Sequence, residues 1–271
     1  MSNYSVHVGS DPTSLTDLGG ATYGLTVLRH APVWMAAPQG HGNDLPGLDG
    51  GYSDGLTLRA VEMTVPCIVR ASTAAALRTQ LDAVLPLISP RSGDQWWKFD
   101  WQSDRLRYGR VWDVVQGASM PNLARLDLTL RLSDACAYST TSTSQTLTVS
   151  STPQTLTIPA TGSVAGSADA RPVWVIKNTS GSESSALTLT SSTTSESISL
   201  AALPNGYWYR LDLPRQIVER SSNSGSTWST FYSGVGSATQ IPRLEAGSSN
   251  SLTLSGLSSG SVVVTYRARY L

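Results

Sequence analysis

Period-two alternation of apolar and polar residues dominates this chain. Near its end Val262, Val264, Tyr266, Ala268 and Tyr270 alternate with Val263, Thr265, Arg267, Arg269 and Leu271. That spacing sets valines and aromatics on one face of a strand, with a hydroxyl and two guanidinium groups on the other. Ser251-Leu-Thr-Leu-Ser255 alternates as well, and Gly256, Ser258, Ser259 and Gly260 stand between the two runs, which predicts a closing antiparallel hairpin. In the first half the pattern predicts strands over Tyr4 to Val8, Tyr23 to Leu28, Leu56 to Val69, Gln95 to Gln102, Leu106 to Val115 and Ala124 to Leu132. Within the last of these, four leucines at even positions face inward.

A 3.6-residue period occurs once. Leu77, Leu81, Val84 and Leu85 form an apolar stripe with Ile88 beyond it, Ser72 or Thr73 can cap the start, and Pro86 and Pro90 end it. The spacing therefore predicts a helix over 72–85 that packs across a sheet. From Ala137 to Gln145 the sequence turns small and polar without apolar period, and a boundary is expected there: a first domain over 1–138, a linker over 139–144 and a second domain over 145–271. Short strand signals follow at Thr146 to Val149, Thr155 to Ile158, Pro172 to Ile176, Ala186 to Leu189, Ile198 to Ala201, Tyr207 to Leu213, Gln216 to Glu219 and Trp228 to Tyr232. Turn residues such as Pro204-Asn205-Gly206 punctuate them. The fold class expected is mainly β, with one helix in the first domain and a β-sandwich of the jelly-roll or galectin type in the second.

Charge narrows the partners. The 271 residues carry 19 basic and 19 acidic side chains, divided eleven to thirteen before residue 139 and eight to six after it. With no basic tract and a pI near 6.8, the chain lacks the electrostatic footprint of a nucleic-acid binder. No apolar run reaches 18 residues and the first residues lack a signal-peptide pattern, so neither a membrane span nor export is expected. Cys67 and Cys136 stand alone in apolar strands and read as buried free thiols.

Catalytic chemistry finds little footing. His7, His30 and His41 are scattered, without metal-ligand spacing. Asp44, Asp49 and Asp54 surround a glycine-rich loop that has oxygen ligands for calcium but the wrong spacing for an EF-hand, so a turn-rich surface loop is the simpler reading. Glu62, Asp100, Asp104, Asp113 and Asp212 could supply a glycosidase pair, yet nothing singles out two of them. No nucleophile elbow, phosphate loop or dinucleotide fingerprint occurs, and the chain reads as a non-enzyme without cofactor or metal. The aromatic strand Gly206-Tyr-Trp-Tyr-Arg-Leu-Asp-Leu213 is more informative: Tyr207, Tyr209, Leu211 and Leu213 share one face, and Trp208, Arg210 and Asp212 the other. With the first face in the core, Trp208 and Arg210, joined by Trp228, make a candidate glycan or partner-contact platform, or a surface packed under a neighbouring loop. A second aromatic strand, Gln95-Trp-Trp-Lys-Phe-Asp-Trp-Gln102, is expected to bury Trp97, Phe99 and Trp101 and to turn Trp96 and Lys98 outward.

The order of these features carries a resemblance. Leu45-Pro-Gly-Leu-Asp-Gly50, the strand through Arg59, Glu62 and Val69, the single helix, the aromatic strand and Arg105-Leu-Arg-Tyr-Gly-Arg-Val-Trp112 resemble the ring-forming domain of distal tail proteins of long-tailed, non-contractile (siphovirus-type) bacteriophages. Pro172-Val-Trp-Val-Ile-Lys177, Tyr209-Arg-Leu-Asp-Leu213 with Gln216-Ile-Val-Glu219, Pro242-Arg-Leu-Glu-Ala-Gly247, Asn250-Ser-Leu-Thr-Leu254 and Val264 to Leu271 resemble their galectin-like domain. The resemblance spans nearly the whole chain and rests on the order of weak motifs. It implies a virion protein of the tail tip, made in the host cytoplasm, that forms a homo-hexameric ring. That ring joins the tail tube protein to the baseplate hub or tail fibre proteins, meets the tape-measure protein and lets DNA pass without binding it. The sequence departs from some members in showing no long inserted arm and no added sugar-binding module. An independent carbohydrate-binding protein is the alternative, with Trp208 and Trp228 as platform, and a glycoside hydrolase ranks behind it.

Overall fold

The computed structural model describes residues 4–28, 38–44, 51–58, 61–215, 217–236 and 240–270, with backbone only for 38–44, 51–58 and 118. The protein is mainly β, with a single α-helix among the described residues. It divides into two compact units, the first reaching Thr140 and the second running from Thr141 to Tyr270.

Unit 1 contains β1 (Val6–Asp11), β2 (Ser14–Asp17), β3 (Leu25–Val27), β4 (Pro38–Asp44), β5 (Gly51–Leu58), β6 (Val61–Arg70), α1 (Ala74–Val84), β7 (Gln95–Phe99), β8 (Arg105–Met120), β9 (Leu123–Leu132) and the start of β10 (Ala137–Val149). Seven of these strands pair antiparallel in the order β2-β1-β7-β8-β9-β6-β3. The N–H of Val27 donates to the Tyr4 carbonyl at 3.0 Å, so β3 returns beside the entry to β1 and the sheet curls towards closure. Inside lie Met63, Val65, Cys67 and Val69 of β6 and the even leucines Leu126 to Leu132 of β9, all buried as the alternation predicts. Trp97 and Phe99 join them, while Trp101 packs on the cluster from a 3₁₀ turn and stacks on Phe99 with 4.5 Å between ring centroids. Trp96, on the opposite face, sits against Tyr108 and Tyr138.

The helix follows its cap. Thr73 is the N-cap, its hydroxyl accepting from the Ala76 N–H at 3.1 Å, and Leu77, Val84 and Ile88 enter the core. Leu85, expected in the stripe, is exposed instead. It is the C-cap, where the helical period ends, and Val84 and Ile88 take the inward positions. Of the expected strand over Leu56 to Val69, Leu56 to Leu58 lie in β5 and Val61 to Val69 in β6, and Arg59 and Ala60 lie outside the described residues. β4 and β5 pair with each other in a separate two-stranded sheet. Strands β2 and β4 have polar sequences without alternation, which hid them from a periodicity reading.

Both cysteines are free and buried. Burial pushes the Cys67 thiol far above its usual range, and the nearby Asp127 carboxylate adds to the shift. Ellman's reagent should therefore leave Cys67 unmodified in the folded protein and react with it once guanidinium unfolds the chain. Rapid labelling of Cys67 without unfolding would contradict this burial.

Unit 2 is a sandwich of two antiparallel sheets. One runs in the order β17 (Ser229–Thr230), β16 (Ile217–Ser221), β15 (Trp208–Asp212), β12 (Val173–Asn178), β19 (Gly260–Tyr270) and the later part of β10. The other runs β11 (Gln154–Ile158), β18 (Asn250–Ser255), β13 (Ala186–Ser191) and β14 (Ser197–Ala202). Alternate residues from both sheets fill the core, among them Trp174, Ile176, Leu189, Tyr209, Leu211, Leu254 and Val264. The face assignment for β15 holds for Tyr209 and Leu211, which are fully buried, and for Trp208 and Arg210, which are partly exposed, whereas Asp212, expected on the outer side with them, is buried at the end of the strand.

Several sequence expectations need correction here. β18 and β19 are not a hairpin: β18 pairs with β11 and β13, β19 pairs with β12, and the segment between them crosses from one sheet to the other. Leu257 is fully buried in that crossing and Gly256 takes φ +90, so a two-sheet corner uses the same Gly/Ser composition that suggests a tight turn. Arg269, expected to face solvent with Arg267, is buried. The inward parity of β19 switches after Tyr266, where the segment around Gly166 and Ala168 bridges to Arg269 and Arg269 Nη1 donates to the Asp169 carbonyl at 2.6 Å. Of Trp228 to Tyr232 only Ser229–Thr230 is strand. Residues 139–144, expected as the linker, are extended backbone within β10, which suits their threonines, and the division between the two units falls inside them, between Thr140 and Thr141.

Candidate functional site

Trp208, Arg210 and Trp228 are brought together on the outer face of β15. Cross-strand register sets Lys177 opposite Trp208 and Glu219 opposite Arg210. The Lys177 ammonium lies 4.1 Å from the centre of the Trp208 ring, and the Arg210 guanidinium carbon lies 4.6 Å from that of Trp228. These are cation–π distances. Arg210 also pairs with Glu219, whose side chain is largely buried. Each cation thus touches one indole, and Arg210 has a carboxylate as well.

The connection after β16 completes the arrangement. Ser221 Oγ accepts the Gly225 N–H at 2.9 Å, while Asn223 accepts the Thr227 N–H at 2.9 Å and donates from Nδ2 to Thr227 Oγ1 at 2.8 Å. This network lays Gly225, at φ +84, against the two tryptophans. A Cβ at that position would stand 2.6 Å from a Trp208 ring carbon and 3.4 Å from one of Trp228, so the site requires glycine for its conformation and for its space. On the neighbouring edge the Arg220 guanidinium carbon sits 4.0 Å from the centre of the Phe231 ring. Burial raises the pKa of Tyr209 beneath, an effect that Arg220 partly opposes.

Sequence reasoning found the aromatics and Arg210 but missed Lys177, Glu219, Arg220 and Gly225. Glu219 was legible in principle, because Arg210 and Glu219 lie equally far from the Leu213–Gln216 turn and a hairpin must oppose them. Lys177 was not, since its neighbour in space, Trp208, comes from a strand distant in sequence.

The candidate carboxylates are engaged separately. Asp100 accepts the Ser5 N–H at 2.9 Å and lies 3.2 Å from His7 Nε2. Asp104 pairs with Arg105 at 2.7 Å, and Asp212 with Arg215 at 3.2 Å. Asp113 accepts the Val114 N–H at 2.8 Å, and Glu62 is exposed on β6 opposite Arg131. No cluster of three metal-ligating side chains occurs among the described residues. His30 and Asp49 lie outside the described residues, as do the side chains of His41, Asp44 and Asp54, so the calcium reading of that loop falls outside them too. Likewise, no described helix is long and apolar enough to cross a membrane.

No family model matches the sequence, and no curated protein matches it either. The fold does have solved counterparts. SPP1 Dit, whose structure is described as a paradigm of the hub adsorption apparatus in phages infecting Gram-positive bacteria, is 16% identical, with 99% of each chain covered and a TM-score of 0.65. A chain of the phage P2 baseplate in its activated conformation with Ca matches over 99% of both chains at 9% identity and a TM-score of 0.59. The corresponding Sr form gives 8% identity, the same coverage and 0.60. The protein thus has the mainly β fold of a phage distal tail protein over its whole described length.

Proposed function

We propose that this chain is a structural hub protein of a phage tail tip, which assembles as a six-fold ring, joins the tail tube to the baseplate hub and fibres, and leaves an opening for the tape-measure protein and then DNA. The observation that carries this reading is the extent of the fold match, which takes in both units in order. A shared sandwich alone would say little, because one fold hosts many functions. In this reading unit 1 forms the ring, and the virion tail tip is where the protein resides after synthesis in the host cytoplasm. DNA is a dense polyanion, so a bore that lets it slide must avoid rows of unpaired lysine and arginine. Unit 1 has the surplus of carboxylates.

The test is the mass and shape of the full chain in solution and in assembled tails. Sedimentation should give six times the 28.8 kDa chain mass, and electron microscopy should show an annulus built from residues before 139. A protein that stays monomeric at every concentration and is absent from tail tips would defeat the reading.

For the second unit we propose that Trp208, Arg210 and Trp228 form a built surface for holding its own loop and contacting protein, not a sugar site. Lys177, Arg210 and Gly225 already occupy indole surface that a pyranose would stack on. A glycan array probed with the full chain should show no micromolar binder. Binding at that level, lost in Trp208→Ala, would restore the carbohydrate reading.

A further inference from the structure

Within unit 2 one sheet ends in β17 and β10 and the other in β11 and β14. An edge strand presents a row of unpaired backbone groups, and proteins shorten such edges, cover them, or interrupt them with charge and proline. Among the described residues three of these four edges are managed in that way. β14 is covered by the segment at 234–236, where the Ala201 N–H donates to the Gly234 carbonyl at 2.6 Å and the Gly236 N–H to that of Ser199 at 2.8 Å. β17 is two residues long. β11 stands between Pro153 and Pro159, and the Gln145 side chain donates from Nε2 to the Thr157 carbonyl at 3.2 Å while its Oε1 accepts the Ala160 N–H at 3.2 Å.

β10 has none of these devices. From Ala137 to Val149 it includes no charged residue, no proline and no glycine, and Thr141 to Ser144, Thr146 and Thr148 are exposed. β19 takes one side of it, with Ser144 Oγ 3.1 Å from Thr265 Oγ1. β8 takes the other side only as far as Thr140, whose N–H donates to the Asp104 carbonyl at 3.2 Å. Backbone groups alternate in direction along a strand, so the N–H groups of Ser142, Ser144, Thr146 and Thr148 point to that same side, beyond the last pairing with β8. On the inner face Leu147 packs on the core of unit 2 and is only half-buried, which leaves the core open at this rim.

We infer that the free edge of β10, over Ser142 to Thr148, takes an added β-strand from another tail protein, an extended and uncharged segment that sets an apolar residue beside Leu147. This rests on the ring reading proposed above and gives the hub a place to hold a further protein. The side chains along this edge are small hydroxyls without charge, so recognition there falls to the main chain, as in strand addition to a sheet edge. Serine and threonine pair well across strands with their own kind, whereas a charged residue of the partner would find no counter-charge on β10. Leu147 selects the apolar residue, because an incoming strand would close the rim that this side chain only half fills. A second β10 is excluded inside a six-fold ring, since a strand pairing with its own copy lies on a two-fold axis. The other edges of unit 2 are covered, interrupted or two residues long.

Residue-resolved hydrogen exchange on the full chain, isolated and in assembled tails, tests the inference. In the isolated chain the amides of Ser142, Ser144, Thr146 and Thr148 should exchange roughly tenfold or more faster than those of Thr143, Gln145 and Leu147, which face β19, and in tails the first set should slow by a similar factor. First-set amides that stay fast in tails containing the ring overturn the inference and leave the ring reading standing. First-set amides already slow in isolated rings give the edge to a second copy and overturn it as well. A chain that is monomeric throughout and absent from tail tips overturns both. In the same tails the photo-crosslinker p-benzoylphenylalanine at position 148 should join to a segment of another tail protein free of Asp, Glu, Lys and Arg; an adduct to this chain or to a charged segment counts against the assignment. As a further arm, Thr146→Pro deletes one N–H of the free edge and none of the ladder with β19. It should keep the wild-type ring mass and melting midpoint, and the protection of Ser142, Ser144 and Thr148 in tails should fall by roughly tenfold or more. Ser144→Lys/Thr146→Lys, which keeps every N–H and charges the edge, should do the same and serves if the proline unfolds the sandwich. Full protection in a folded variant overturns the inference.

Discussion

Trp97→Ala should destabilise unit 1 by about 3–5 kcal/mol and abolish the ring assembly proposed for the full chain. Trp97 is completely buried in β7, and its Nε1 donates to the Gly109 carbonyl of β8 at 3.0 Å. Truncation removes the packing of an entire indole and leaves the Gly109 oxygen without that donor, and the two costs act together. The surroundings have little room to relax. Gly109 lies against the backbone of Arg131 and Leu132, so close that an added Cβ would overlap it, and β8 is therefore pinned to β9 at that level. Against a typical domain stability of about 5–15 kcal/mol, the loss leaves a substantial unfolded population. Denaturant titration followed by near-ultraviolet circular dichroism reads the stability, and sedimentation reads the assembly. An unchanged midpoint and an assembly state equal to that of the wild type would mean that neither the core nor the proposed ring depends on this strand.

Alternation made the larger part of this fold legible. The leucines of β9, the aromatic face of β15 and the capped helix all follow rules local to a few residues, and they are found where their periods place them, with Leu85 at the end of the helix as the exception. What the sequence hid is set by partners distant in sequence. The Gly/Ser segment after Ser255 has the composition of a tight turn, and only the pairing of β18 and β19 with different sheets makes it a crossing. Arg269 belongs by parity with solvent, and the close approach of Gly166 reverses that. At the candidate site, Trp208 and Arg210 were visible because one strand carries both. Lys177, Gly225 and the loop network around Asn223 were not, because register between strands and a positive φ bring them there. Buried polar residues were the least visible class. Asn178 is fully buried, donating from Nδ2 to the carbonyls of Ser182 and Leu203 and accepting from Ser180, a role no short motif announces.

Trp174→Ala should lower the melting transition of unit 2 by on the order of 10–20 °C and leave that of unit 1 in place. Trp174 is completely buried in β12, the strand between β15 and β19. Leu211 and Val264 lie opposite it on those two strands, and both are buried in the same core. Its Nε1 donates to the Pro242 carbonyl at 3.1 Å, which ties the irregular segment before β18 to the sheet. Loss of the ring creates a cavity and unties that segment, for a cost of about 3–5 kcal/mol. The effect should stay in unit 2 because the cores are two separate clusters that share no residue, and domains with their own cores unfold as their own units. We therefore expect calorimetry of the variant to show a displaced transition beside an unmoved one, and the purified variant to retain the ring that unit 1 is proposed to form. A single transition that shifts as a whole would show that the strand running through Thr140 and Thr141 couples the two halves into one cooperative block, and the proposal of independently folded domains would then fail.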